Sequence, residues 1–181
     1  MPISVRSPRS LAGLGPAIRS LVRTALRSEG RAVGEVGVAL ADDTLLRALN
    51  RDFRGLDKAT DVLSFGYDAS GELAMPESIA AAARDGAPEP VSGDLVISMD
   101  RVRAQAKRFR VSEGEELARL VVHGALHLAG LDHQKPAERR TMRAKEDAVL
   151  AAAAAPVKLL ARAMRPATGR APRRAKAKAK A

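Results

Sequence analysis

The chain has 181 residues, 46% of them hydrophobic, which is enough for one folded domain with a real core. Lys and Arg number 31 against 21 Asp and Glu, a formal net charge of +10, so an anionic partner such as nucleic acid is the first expectation. With no Cys in the chain, a disulfide framework, a thiolate metal site and a Cys nucleophile are excluded, and no uncharged apolar run reaches membrane-spanning length.

Ile3–Val5 is expected as a short first strand and Gly13–Ser28 as a helix. Leu14, Ile18, Leu21, Val22 and Leu26 share one helical face. Five Arg precede the first acid, Glu29, a composition that a transit peptide shares, but an ordinary first strand and helix is the preferred reading. Val36, Val38 and Leu40 alternate in a second strand. Asp42 is placed to cap a helix through Leu45, Leu46, Leu49 and Asn50. Thr60–Phe65 leans to strand, and Tyr67–Pro90, with Gly71, Pro76, Gly86 and Pro88, reads mostly as loop. Asp94–Ser98 is a compact buried-strand candidate.

Met99–Arg110 follows as a helix whose Arg103, Lys107 and Arg110 lie on one surface, as candidate contacts to an RNA backbone or simply a solvated face. Ser112 with Glu115 forms a capping box that opens the next helix, which runs to Gly130. A last helix starts near Pro136 and runs into Ala151–Ala155. The expected fold class is α+β, a small mixed sheet of about four strands packed with about five helices.

Charge is uneven along this plan. Pro156–Ala181 holds nine basic residues and no acid, while the preceding 155 residues carry 22 basic against 21 acidic groups. The expected organisation is therefore a near-neutral catalytic domain over 1–155 and a disordered basic tail over 156–181. The tail reads equally well as an electrostatic arm for RNA and as a solubilising extension.

All three His of the chain, His123, His127 and His133, fall within eleven residues. His123 and His127 are i and i+4 on a helix, about 40° apart around its axis, so both imidazoles face one way. Gly130 frees the chain to turn and bring His133 toward the same point. Three imidazoles with an open fourth position suit catalytic zinc, and imidazole also suits nickel or another divalent metal. Such a metal lowers the pKa of a bound water from 15.7 toward about 7. The spacing, with Gly at the same place, equals that of the metzincin proteases. Those enzymes need a Glu directly after the first His, and here Gly124 stands there, which argues against peptidase chemistry.

The run His123-Gly-Ala-Leu-His127-Leu-Ala-Gly-Leu-Asp132-His133 resembles the signature of the YbeY family of bacterial rRNA maturation factors. The blocks Leu49–Phe65 and Gly93–Ser98 agree with it in the same order. Leu131 and Gly66 depart from the common pattern, at positions away from the proposed ligands. The resemblance implies a cytoplasmic, metal-dependent, single-strand-specific endoribonuclease acting in rRNA 3′-end maturation and ribosome quality control. It further implies association with the small ribosomal subunit and with ribosomal proteins or an assembly GTPase. A zinc metallohydrolase and a non-catalytic ribosome assembly factor are the alternatives.

In that frame His123, His127 and His133 hold the metal, with His123 also counted as catalytic. Arg54 matches the family's arginine and would clamp phosphate, unless it serves a structural ion pair with Asp57 or Asp61. Asp132 either orients a ligand imidazole or caps the turn. Asp61 and Ser64 are expected to line the cleft. Phe53, Phe65, Tyr67 and Phe109 are the only aromatics, so RNA binding is expected to be led by phosphate contacts rather than stacking.

Overall fold

The computed structural model describes residues 3–68, 70–74, 90–132 and 135–165. Four strands form one mixed sheet: β1 (Ile3–Arg6), β2 (Val33–Ala41), β3 (Val62–Tyr67) and β4 (Val91–Ser98), in the order β1-β2-β4-β3. β1 and β4 both run parallel to β2, and β3 is antiparallel to β4 at the edge. Six α-helices are described: α1 (Gly15–Ser28), α2 (Asp43–Arg54), α3 (Met99–Phe109), α4 (Glu113–Leu128), α5 (Pro136–Ala152) and α6 (Ala154–Ala163). The α+β expectation holds, and the N-terminal segment forms β1 and α1 as ordinary parts of the domain.

The strand pleat sends alternate residues to opposite faces. Val36, Val38 and Leu40 of β2, Leu95 and Ile97 of β4 and Val62 of β3 enter the main core with α1, α4, α5 and α6. Ala39, Val96, Leu63 and Phe65 point the other way, where α2 covers part of the sheet with Leu46 and Leu49. α4 is the central helix, buried from Leu117 to Leu128 on most of its circumference. Its start is the expected capping box, with Glu115 N donating to Ser112 Oγ at 3.2 Å and Ser112 N to Glu115 Oε2 at 2.9 Å. Gly130 takes the left-handed conformation just beyond its end, with φ 98°.

Two expectations need correction. The last helix breaks at Ala153, where Pro156 forbids an unbroken helix through Ala152, and continues as α6 packed on α4. Residues 156–163, assigned from sequence to the tail, therefore belong to the fold, and Leu160 is fully buried. Helix α6 keeps an apolar side among its basic residues, and charge counting overlooked it. Residues 166–181 and most of the segment read as a loop, 75–89, lie outside the described residues.

Candidate metal centre and RNA site

Helix α4 carries His123 and His127 with their Nε2 atoms 3.2 Å apart. Two nitrogens about 2.05 Å from one ion, at an angle near 100°, would have about that separation, so the pair fits a shared tetrahedral metal. Behind it, His123 Nδ1 lies 2.6 Å from Glu146 Oε1 on α5. A carboxylate only accepts, so this contact favours the proton on Nδ1, which in a neutral imidazole leaves Nε2 as the ligating nitrogen. His133 lies outside the described residues, and among those described no group of three metal-binding side chains is complete.

Glu146 is 7% exposed and opens a network that sequence reasoning missed. Arg119 of α4 approaches its other oxygen at 4.0 Å and grips Glu116 through Nε and Nη2, at 3.0 and 2.7 Å. Arg119 Nη2 also donates to Gln105 Oε1 at 3.0 Å, and Gln105 Nε2 donates to Asp61 Oδ2 at 3.1 Å. Burial pulls the Arg119 guanidinium down, but Glu116, Glu146 and Asp61 together hold it above its ordinary value. Burial likewise pushes the Asp61 carboxyl up. The Gln105 hydrogen bond and nearby backbone amides outweigh this and keep it below the usual carboxylate range. A signal for Glu146 was present: Met142, Glu146 and Val149 recur at i, i+4 and i+7, and an acid on an apolar stripe needs a partner.

Gly124 explains the missing metzincin glutamate. It faces the sheet, where an added Cβ would sit 3.0 Å from Leu95 Cδ2 and 3.1 Å from Val62 Cγ2. Position 124 is thus a packing contact. Ser64, expected in the cleft, donates to the Gly124 carbonyl at 3.2 Å and so ties β3 to α4 beside His123.

The remaining predicted residues spread over the surface. Arg54 is exposed at the end of α2; Asp57 pairs instead with Arg47 at 2.7 Å and Asp61 with Gln105. The loop after Arg54 is pinned by Asn50, 2% exposed, whose Nδ2 donates to the Lys58 carbonyl at 2.8 Å. Asp132 is exposed at the end of the turn after Gly130. Arg103 pairs with Asp100 at 3.1 Å, and Lys107 and Arg110 face solvent.

Two hollows flank α2. One of about 720 Å³ is lined by Arg47, Arg51, Lys58 and Arg101 together with Asp43 and Asp57. The other, about 440 Å³, lies on the open face of the sheet and gathers Phe53, Phe65 and Tyr67. Neither is lined by the histidines.

The family model described as Endoribonuclease YbeY matches residues 12–154. A Desulforamulus reducens protein of that description is 42% identical over 134 residues, covering 74% of this chain and 82% of that one. The chain belongs to the YbeY family. A Pelotomaculum thermopropionicum member is 37% identical over 155 residues, 83% of this chain and 95% of that protein. The solution structure of TM1509 from Thermotoga maritima superposes with a TM-score of 0.51 at 23% identity, over 86% of this chain and 95% of that one, a likeness of fold. Family membership makes the chain an endoribonuclease, a hydrolase of RNA. No helix among the described residues is long and apolar enough to cross a membrane.

Proposed function

We propose that the chain is a metal-dependent, single-strand-specific endoribonuclease that acts on small-subunit rRNA, in 3′-end maturation and ribosome quality control in the cytoplasm. The observation that carries this reading is the pair of Nε2 atoms 3.2 Å apart, backed by the Glu146 carboxylate. His123, His127 and His133 would hold one divalent ion, zinc in the first instance. When bound, the ion supplies a Lewis acid and a way to ionise water near neutral pH.

The chain's own residues do the rest. Glu146 holds the His123 proton on Nδ1 and fixes the ring. Arg119 balances the charge of Glu146 and links it to Asp61 through Gln105. Arg54, exposed next to a loop pinned by Asn50, presents five N–H donors to a phosphate and stabilises the charge that develops on its oxygens. Peptidase chemistry is disfavoured by Gly124, which stands where the required glutamate would be and where a Cβ would press on Leu95 and Val62.

The test is cleavage of a single-stranded rRNA fragment by metal-loaded protein beside His127→Ala and Arg54→Ala. Both variants are expected to lose most activity. Full activity of His127→Ala would overturn the metal mechanism. Elemental analysis of protein purified without a His tag should find about one ion per chain.

A further inference from the structure

Rings are scarce in this chain: three Phe, one Tyr and no Trp. Three of those four line one 440 Å³ hollow on the sheet face opposite α4, a volume in the range of small-ligand sites, about 300–1,000 Å³. Phe65 and Tyr67 are two apart on β3 and so share that face. Phe53 of α2 meets Phe65 edge-on, with centroids 5.1 Å apart and planes at 66°. Phe53 is nevertheless 57% exposed, a large apolar ring left in water at the rim.

The hollow also has a built polar end. Tyr67 Oη donates to Asp94 Oδ2 at 2.5 Å, a short charge-assisted bond. Asp94 Oδ1 lies directly over Gly37 of β2, where any Cβ would overlap it, so the sheet leaves room for this carboxylate. Arg6 lines the same hollow, and Arg54 follows Phe53 in the chain. Stacking rings, an acceptor fixed among them and the Arg6 cation at the edge match a nucleotide: π-face, amino edge and phosphate. A protein partner's apolar side chain would cover the Asp94 carboxylate while offering nothing to Oδ1, the oxygen that Tyr67 does not engage.

We propose that this hollow holds one unstacked base of the substrate RNA, with Phe53 and Tyr67 against its rings and Asp94 accepting from its exocyclic amino group. The proposal deepens the endoribonuclease reading and rests on it for the identity of the ligand. It differs from the sequence expectation, which saw aromatics too few for stacking. They are few, but the fold brings three of them together.

Tyr67 is the only tyrosine, so its ring protons are a single resolved reporter by NMR. The full chain is titrated, in EDTA to hold off cleavage, with heptamers of cytidine, adenosine and uridine, and labelled RNA is followed by anisotropy in parallel. Base stacking should shift the Tyr67 ring signals upfield. Phe53→Ala should bind roughly ten-fold more weakly, a typical loss for one stacked base. Cytidine and adenosine should bind more tightly than uridine, which lacks the amino group, and Asp94→Ala, which removes the acceptor, should abolish that preference. RNA that binds and is later cut on adding metal, while Tyr67 stays unshifted and Phe53→Ala binds normally, overturns the base site and leaves the endoribonuclease reading intact. Tyr67 shifts that track protein concentration without RNA would make the hollow a self-association face and overturn the proposal too. Stacking without any cleavage would keep the base site and sink the proposed function instead.

Discussion

A neutral imidazole that coordinates through Nε2 must keep its proton on Nδ1, and in this chain Glu146 stands where that proton points, 2.6 Å away. Replacing Glu146 by Gln keeps size and hydrogen bonding but removes the charge that makes the ring a better ligand. Losses of this kind lower metal affinity by about 10–100-fold. Glu146→Gln is therefore expected to weaken zinc affinity by that factor, read by competition with a chromophoric chelator. Unchanged affinity would mean the carboxylate serves only Arg119. The two histidines were legible in the sequence because i and i+4 on one helix is a local geometry. Glu146 was legible only as an acid on an apolar stripe in need of a partner; that the partner is His123, 23 residues away on another helix, was not, since only packing decides which side chains of two helices meet.

At the scale of elements, α4 and the sheet approach so closely at Gly124 that the backbone carbonyl there receives the Ser64 hydroxyl. The sequence showed that a catalytic glutamate was missing at this position, but it did not show why. The structure offers a reason in the tight contact with Leu95 and Val62, two buried core residues that a side chain here would press upon. Gly124→Glu would place a carboxylate in that contact, and an uncompensated buried charge costs several kcal/mol, a large part of a typical domain's stability. The variant is expected to be insoluble or to melt far below the parent in a thermal scan, with no peptidase activity gained. A well-folded Gly124→Glu protein would refute the packing account. The strand and helix order was readable from caps and alternation: Asp42, the Ser112–Glu115 box and Val36-Val38-Leu40 all stand where local rules put them. The break at Ala153 had a signal in Pro156, whose ring and missing N–H cannot follow Ala152 in an unbroken helix, but the resumption as α6 was not readable, because it depends on what α6 packs on.

For the whole molecule, that packing moves the boundary between domain and tail. A Cβ on Gly114 would overlap the α6 backbone at Leu160 and Ala161, so α4 and α6 touch nearly main chain to main chain. A truncation after Ala155 would strip out the fully buried Leu160 and is expected to lose at least about 2–5 kcal/mol by urea unfolding. A truncation after Arg165 removes only residues outside the described fold and should melt with the full chain. That second protein is the right one for asking about the basic tail. If the tail touches RNA, its loss should flatten the dependence of log affinity on log salt by about 0.7 for each phosphate contact given up. Equal slopes would leave the tail off the RNA.

The position of β3 has one more consequence. It is one of the two edge strands, tied on one face to α4 at Gly124, next to His123, and lining the aromatic hollow on the other. An RNA that reaches both His123 and the hollow must fold around the rim of a single strand, a bend of very small radius. A flexible single strand makes that bend readily, whereas a stiff A-form duplex can lie against one face only. Discrimination between the two would then come from bending stiffness, with no side chain assigned to reject the second strand.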